Sequence, residues 1–147
     1  MKELKKYNGV VVPLVSPVTC DGKADVDAVT KIVNYIAQYG VSPLLLGTTG
    51  EGNSVPVAEA VRMVAAAKNA AAGRVTVYVG LGGTCISEQY EAAKQFIEAG
   101  ADVIAATLPS YYALTPEQMY EYYKNLADFL TIPLMLYNIT ITTHMSI

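Results

Sequence analysis

The sequence contains no tryptophan, one histidine, two phenylalanines and two cysteines. Charged residues make up 16% of its 147 positions, against an average near ~25%. Each scarcity removes a class of function. Ten Lys and Arg against 13 Asp and Glu give a net charge of −3, with no basic stripe, so no nucleic-acid partner is expected. No uninterrupted run of ~18 apolar residues occurs, so no membrane-spanning segment is expected. The lone His144 has no Cys/His/Asp cluster at metal-ligand spacing around it and reads as a loop residue; no metal is expected. There is no GxSxG nucleophile elbow, and neither a GxxxxGK[ST] nor a GxGxxG phosphate loop. Cys20 and Cys85 form no CxxC pair and read as free thiols of a reducing cytoplasm. Lys2, Lys5 and Lys6 ahead of an apolar run imitate an export signal. Pro13 and Pro17 interrupt that run, however, and Thr19-Cys20 is a poor processing site, so export is not expected.

What is present is apolar. Hydrophobic residues reach 52%. Either some apolar surface meets a body outside this sequence, or the helices carry an Ala/Val-rich surface. The pattern alternates strand, loop and helix. Strands are predicted over 10–15, 44–46, 75–79, 102–107 and 133–137. Asp25 is a cap or first-turn acid for a helix that stops at Gly40, and Pro56 opens a second helix that runs to Gly73. Ser87 and Glu88 start a third, which ends at Gly100. Thr115-Pro116-Glu117-Gln118 starts a fourth that reaches about Leu130. Such alternation means right-handed βαβ units and a parallel sheet in a single domain. A doubly wound open sheet and a (β/α)8 barrel both fit. Periodicity alone leans toward the open sheet, because five strands would complete one while a barrel needs eight.

Several strand ends could carry chemistry. Gly47-Thr48-Thr49-Gly50-Glu51 follows strand two, where glycines expose backbone N–H groups and two hydroxyls add donors for a carboxylate or phosphate. It also reads as a plain glycine-rich turn. Gly80-Leu81-Gly82-Gly83 either cradles an anion weakly or makes room for a neighbouring loop. Tyr111-Tyr112 follows strand four, as proton carriers or interface anchors. Tyr120, Tyr122 and Tyr123 on the next helix read as packing. Tyr137-Asn138 closes strand five at the edge where parallel α/β folds do chemistry.

Three segments, in this order, resemble the dihydrodipicolinate synthase and N-acetylneuraminate lyase family: Gly47 to Glu51, Leu108-Pro109-Ser110-Tyr111-Tyr112, and Tyr137-Asn138. The stretch from Gly9 to Pro17 is similar to the family's first strand. The resemblance implies a TIM barrel, here its first five strands and four helices, ending before strand six. It implies a class I aldolase or lyase of pyruvate or 2-keto sugar acids, with no cofactor and a dimeric or tetrameric assembly. Gly47, Thr48 and Thr49 would bind the substrate carboxylate. Thr48 would share a hydroxyl relay with Tyr137, the proton-transfer residue, and with Tyr111, in many members across a dimer interface.

Two departures stand out. Family members usually place a proline two residues after the tyrosine, where this chain has Ile139 and then Thr140. The synthase branch places an arginine five residues after it, where this chain has Thr142, which favours a sugar-acid lyase or an unassigned branch. The family's Schiff-base lysine ends strand six, and this sequence has no lysine after Lys124. Without that amine the covalent step cannot occur, so a fragment or truncation without aldolase activity of its own is expected. Open strand edges would favour self-association. A small-anion-binding open α/β module, or a structural partial barrel without catalysis, is the competing reading.

Overall fold

Asp25 accepts a hydrogen bond from the Ala28 N–H at 2.9 Å and so caps α1, Val26–Ala37. The same logic fixes α4, Pro116–Phe129. There the Thr115 hydroxyl receives the Gln118 N–H while the Gln118 side chain receives the Thr115 N–H, a reciprocal capping box behind a first-position proline. Between them lie α2, Val57–Ala71, and α3, Ile86–Glu98. The α3 cap is Cys85, not Ser87 as expected, and no side chain caps it. A single turn, α5, spans Thr140–Thr143. The computed structural model describes residues 7–147; Lys2, Lys5 and Lys6 lie outside the described residues.

Five parallel strands alternate with these helices: β1 Val11–Pro13, β2 Ser42–Leu45, β3 Tyr78–Leu81, β4 Val103–Ala106 and β5 Leu134–Leu136. They lie in sequential order from β1 to β5. This order decides between the two architectures. A doubly wound sheet reverses its strand order at a switch point; a barrel does not. Right-handed crossovers in unbroken order put every helix on one face. The chain is therefore the first part of a (β/α)8 barrel, as the resemblance implied, and not the open sheet that periodicity suggested.

The two faces of the sheet separate cleanly. Leu45, Val79, Leu81, Ile104 and Ala106 pack with Val29, Val33, Met63, Val64 and Leu126 of the helices. On the other face Leu44, Tyr78, Val103 and Ala105 form a second cluster, with Tyr137 packed against it. That second face is the one a closed barrel turns inward.

Strand three departs most from expectation. The β-branched run 75–79 predicts it, yet the ladder runs through Tyr78–Leu81. The Val77 N–H instead meets the Asp102 carboxylate at 2.9 Å, outside the ladder. Gly80, expected as a closing turn, pairs with Ala105 inside the strand.

Candidate active site at the carboxyl edge of the sheet

Leu46, just past β2, adopts a left-handed conformation with φ of 56° and is buried. A non-glycine residue in that region stores on the order of 1–3 kcal/mol of strain, and such residues cluster at functional sites. A Cβ on either Gly52 or Gly80 would run into the Leu46 carbonyl. The glycines after β2 and within β3 thus let two loops close on one strained peptide, the room-making role anticipated for the second glycine cluster.

The loop from Gly47 then folds on itself. Gly50 and Gly52 N–H groups donate to the Gly47 carbonyl at 3.1 and 3.2 Å, and the Glu51 N–H to the Thr48 carbonyl at 3.1 Å. Ser16 pins it from outside, donating to the Gly50 carbonyl at 2.6 Å. The N–H groups of Thr48 and Thr49 donate to no partner among the described residues. Both donors therefore remain available to an anion.

Gly47 and Thr48 line a cavity of about 230 Å³ together with Tyr137. Tyr137 is carried there by the end of β5. Its N–H donates to the Ala106 carbonyl at 2.8 Å, and its half-buried ring rests on the inward cluster. Thr142 lines the same cavity from α5, its hydroxyl turned back to the Ile139 carbonyl at 3.1 Å. Thr49 and Tyr111 do not line it. Tyr111 stands 75% exposed, edge-to-face on Tyr112 at 4.8 Å between ring centroids. No hydrogen bond joins Thr48, Tyr111 and Tyr137 among the described residues. His144 ends α5 at φ 58° and does not line the cavity. Among the described residues no group of three or more His, Cys, Asp or Glu could hold a metal ion.

Sequence reasoning missed the support behind this edge. Gln89 of α3 is buried and donates to the Gly83 carbonyl at 3.0 Å. The Tyr122 hydroxyl of α4 lies 2.7 Å from Gln89 Oε1 and 3.0 Å from the Thr107 carbonyl. Gly83 and Thr107 both line the cavity, so this network ties two helices to its wall. Burial first, then the neighbouring Tyr123 phenol, pushes the Tyr122 phenol well above its ordinary value. Tyr122 is thus more than the packing residue expected, and Tyr120 is exposed rather than packed.

Cys20 and Cys85 are both free and exposed. The Ser87 hydroxyl, then the Glu88 N–H, holds the Cys85 thiol below its ordinary value.

Known proteins resemble this chain in sequence and in fold. A 4-hydroxy-tetrahydrodipicolinate synthase of Laribacter hongkongensis is 33% identical over 132 residues, which are 89% of this chain and 45% of that protein. An Escherichia coli K12 protein described as a probable 2-dehydro-3-deoxy-D-pentonate aldolase is 32% identical over 136 residues, 92% of this chain and 45% of its own. The solved structure of dihydrodipicolinate synthase from Aquifex aeolicus superposes with a TM-score of 0.88 at 30% identity, covering 95% of this chain and 48% of that one. YagE, an E. coli K12 prophage protein of the dihydrodipicolinic acid synthase family solved with pyruvate, gives 0.89 at 28%, covering 95% and 47%. The chain therefore spans about half the length of the relatives it matches. The dihydrodipicolinate synthetase family model matches residues 6–147, nearly the whole sequence, and with the sequential parallel sheet this shows that the chain belongs to that family.

Proposed function

We propose that this chain forms the 2-keto-acid end of a Schiff-base aldolase or lyase whose reactive amine lies outside these 147 residues. The carrying observation is that Gly47, Thr48 and Tyr137, from two separate strand ends, face one cavity at the carboxyl edge of the sheet. The free N–H groups of Thr48 and Thr49 suit the carboxylate of a pyruvate-like ligand. A lysine amine would add to the adjacent keto carbon, and water would leave as the imine forms. The Tyr137 phenol would carry the proton to and from that centre, with the Thr48 hydroxyl beside it. Tyr111, exposed on the outer surface, would complete the relay across a subunit interface in a dimer or tetramer. Pyruvate bound to YagE supports this ligand class. Thr142 in place of an arginine favours a lyase of sugar-derived 2-keto acids over a synthase. Two free thiols support a reducing, cytoplasmic setting.

Intact-mass spectrometry after incubation with pyruvate and borohydride tests this reading on the protein from its natural source. The expected result is a reduced pyruvate adduct on a lysine outside residues 1–147, and none on the 147-residue chain alone. An adduct on Lys23, Lys68 or another lysine of this sequence would overturn the placement of the amine. No adduct anywhere would leave an anion-binding partial barrel without catalysis.

A further inference from the structure

The segments that lead into β2, β3 and β4 line a cavity of about 380 Å³ at the amino edge of the sheet, the opposite end of the strands from Thr48 and Tyr137. Lys68 and Arg74 bring two cations to it, from α2 and from the turn that follows. Each is held by its surroundings. The Lys68 stem lies over Gly100, where a Cβ would stand 2.6 Å from Lys68 Cγ, and its ammonium meets Asp102 Oδ1 at 2.7 Å. Arg74 donates from Nη2 to the Ala70 carbonyl and to Asn34 Oδ1, both at 2.6 Å, and from Nε to the Ala71 carbonyl at 3.3 Å. Among the described residues these bonds leave N–H groups of Lys68 Nζ and Arg74 Nη1 without an acceptor.

Neutral donors converge on the same space. Thr76 is 8% exposed, and its hydroxyl makes no hydrogen bond among the described residues. That oxygen is not sealed in the interior either, and Thr76 lines the cavity, so the hydroxyl opens toward it. The Ser42 hydroxyl, at the start of β2, is equally unbonded. Asp102 is the one acid of the lining among the described residues. Its Oδ1 is taken by Lys68, and its Oδ2 receives the Val77 N–H at 2.9 Å. The carboxylate therefore fixes Lys68 and leaves the Arg74 charge uncompensated. Arg74 also covers the last carbonyls of α2, which would otherwise face an anion.

We propose that this amino-edge cavity binds a phosphoryl oxyanion, as inorganic phosphate or as the head of a phosphomonoester, between the Lys68 ammonium and the Arg74 guanidinium. The free donors come from α2, from the turn after it, from the segment before β3 and from the start of β2, so they surround the space rather than share a plane. Three tetrahedrally disposed oxygens meet such a set; the two coplanar oxygens of a carboxylate do not. The site stands apart from the proposed 2-keto-acid end and does not depend on it.

Phosphorus NMR titrations of the whole protein with inorganic phosphate, and separately with glycerol phosphate, test the site. Saturable line broadening at millimolar ligand is expected, and neither acetate nor pyruvate should reverse it. Arg74→Gln should weaken binding about tenfold and Thr76→Val about threefold, the loss of a charge-assisted and of a neutral hydrogen bond. Thr76→Val keeps the shape of the side chain and removes a hydroxyl that bonds nothing, so its thermal midpoint should hold. Arg62→Gln removes the same charge from α2 at its ion pair with Glu59 and should leave phosphate binding unchanged. Tighter binding of glycerol phosphate would support a phosphomonoester as the occupant; equal or weaker binding would support free phosphate. The proposal falls if neither probe binds, if Arg62→Gln weakens binding as much as Arg74→Gln, or if Thr76→Val leaves it unchanged. Displacement by acetate would make the site a general anion site, and displacement by pyruvate would put the phosphate at the carboxyl edge; either overturns it. The 2-keto-acid reading stands whichever of these results is found.

Discussion

Tyr122 shares one hydroxyl proton between two acceptors, Gln89 Oε1 and the Thr107 carbonyl. Replacing it with phenylalanine removes that proton but leaves both acceptors buried behind the cavity wall. An unsatisfied buried polar group costs about 1–3 kcal/mol, so Tyr122→Phe should lower the urea midpoint with the slope unchanged. An unaltered midpoint would mean that the network carries no stability. The same pair of phenols sets an alkaline limit. Burial raises the Tyr123 phenol to about 12 from its ordinary 10.0, and raises Tyr122 further still. The unfolded chain releases these protons near pH 10 while the folded chain keeps them. The folded state therefore binds more protons above that pH, and stability should fall as pH rises from about 10 through about 12. Urea titrations across that window should show it, and Tyr122→Phe should flatten the decline. None of this was legible in the sequence, where a tyrosine at helical spacing looks like core. What marks Tyr122 is the two chain segments that reach its hydroxyl, and both contacts come from residues distant along the chain. Thr48 and Tyr137 were legible because a glycine-rich loop and a strand-terminal tyrosine each carry a local signal.

Helix ends were the most readable elements. Thr115 with Gln118, and Asp25 ahead of α1, hold their caps through contacts three residues apart, which sequence spacing records directly. Thr115→Ala should therefore cost about 1 kcal/mol, read as a lowered thermal or urea midpoint, with Thr115→Ser restoring most of it. Equal losses for both variants would point to side-chain volume rather than the cap. Strand β3 was misplaced for the opposite reason. Val75-Thr76-Val77 has the composition of a strand, but the Asp102 carboxylate draws off the Val77 N–H, and Lys68 holds that carboxylate at 2.7 Å. Gly80 looks like a breaker in sequence, yet it is required in the strand because a side chain there would meet the Leu46 carbonyl. Long-range sterics, invisible to propensity, set the ladder at Tyr78–Leu81 rather than over 75–79. Gly80→Ala should accordingly lower the thermal midpoint and distort the Thr48 loop together. Heteronuclear NMR shifts at Thr48 and Thr49 would report the second effect, and a variant that lost stability with those shifts intact would break the link.

At the scale of the molecule, periodicity established βαβ units but could not choose between an open sheet and a barrel, since both are built from the same unit. Strand order made the choice, and strand order is a property of the assembled sheet. Among the described residues the sequential sheet has two unpaired edges, β1 and β5. Along β5, Met135 and Leu136 are exposed, and their partners in register, Ala105 and Ala106, are buried. Met135 shares the inward face of the sheet with Ala105, while Leu136 shares the helix-side face with Ala106. An apolar edge strand with free N–H and C=O groups and exposed side chains on both faces is a template for another strand. The 147-residue chain should therefore associate with itself, its apparent mass in size-exclusion chromatography with light scattering rising with concentration. Leu136→Lys places a charge on that edge, the means by which natural sheets block edge pairing, and should shift the distribution toward monomer without lowering the thermal midpoint, because the side chain is already half exposed. A monomer at every concentration would show that the β5 edge is closed by some other device. If Leu136→Lys left association unchanged, the contact would lie elsewhere, and the exposed Tyr111–Tyr112 pair would be the next surface to substitute.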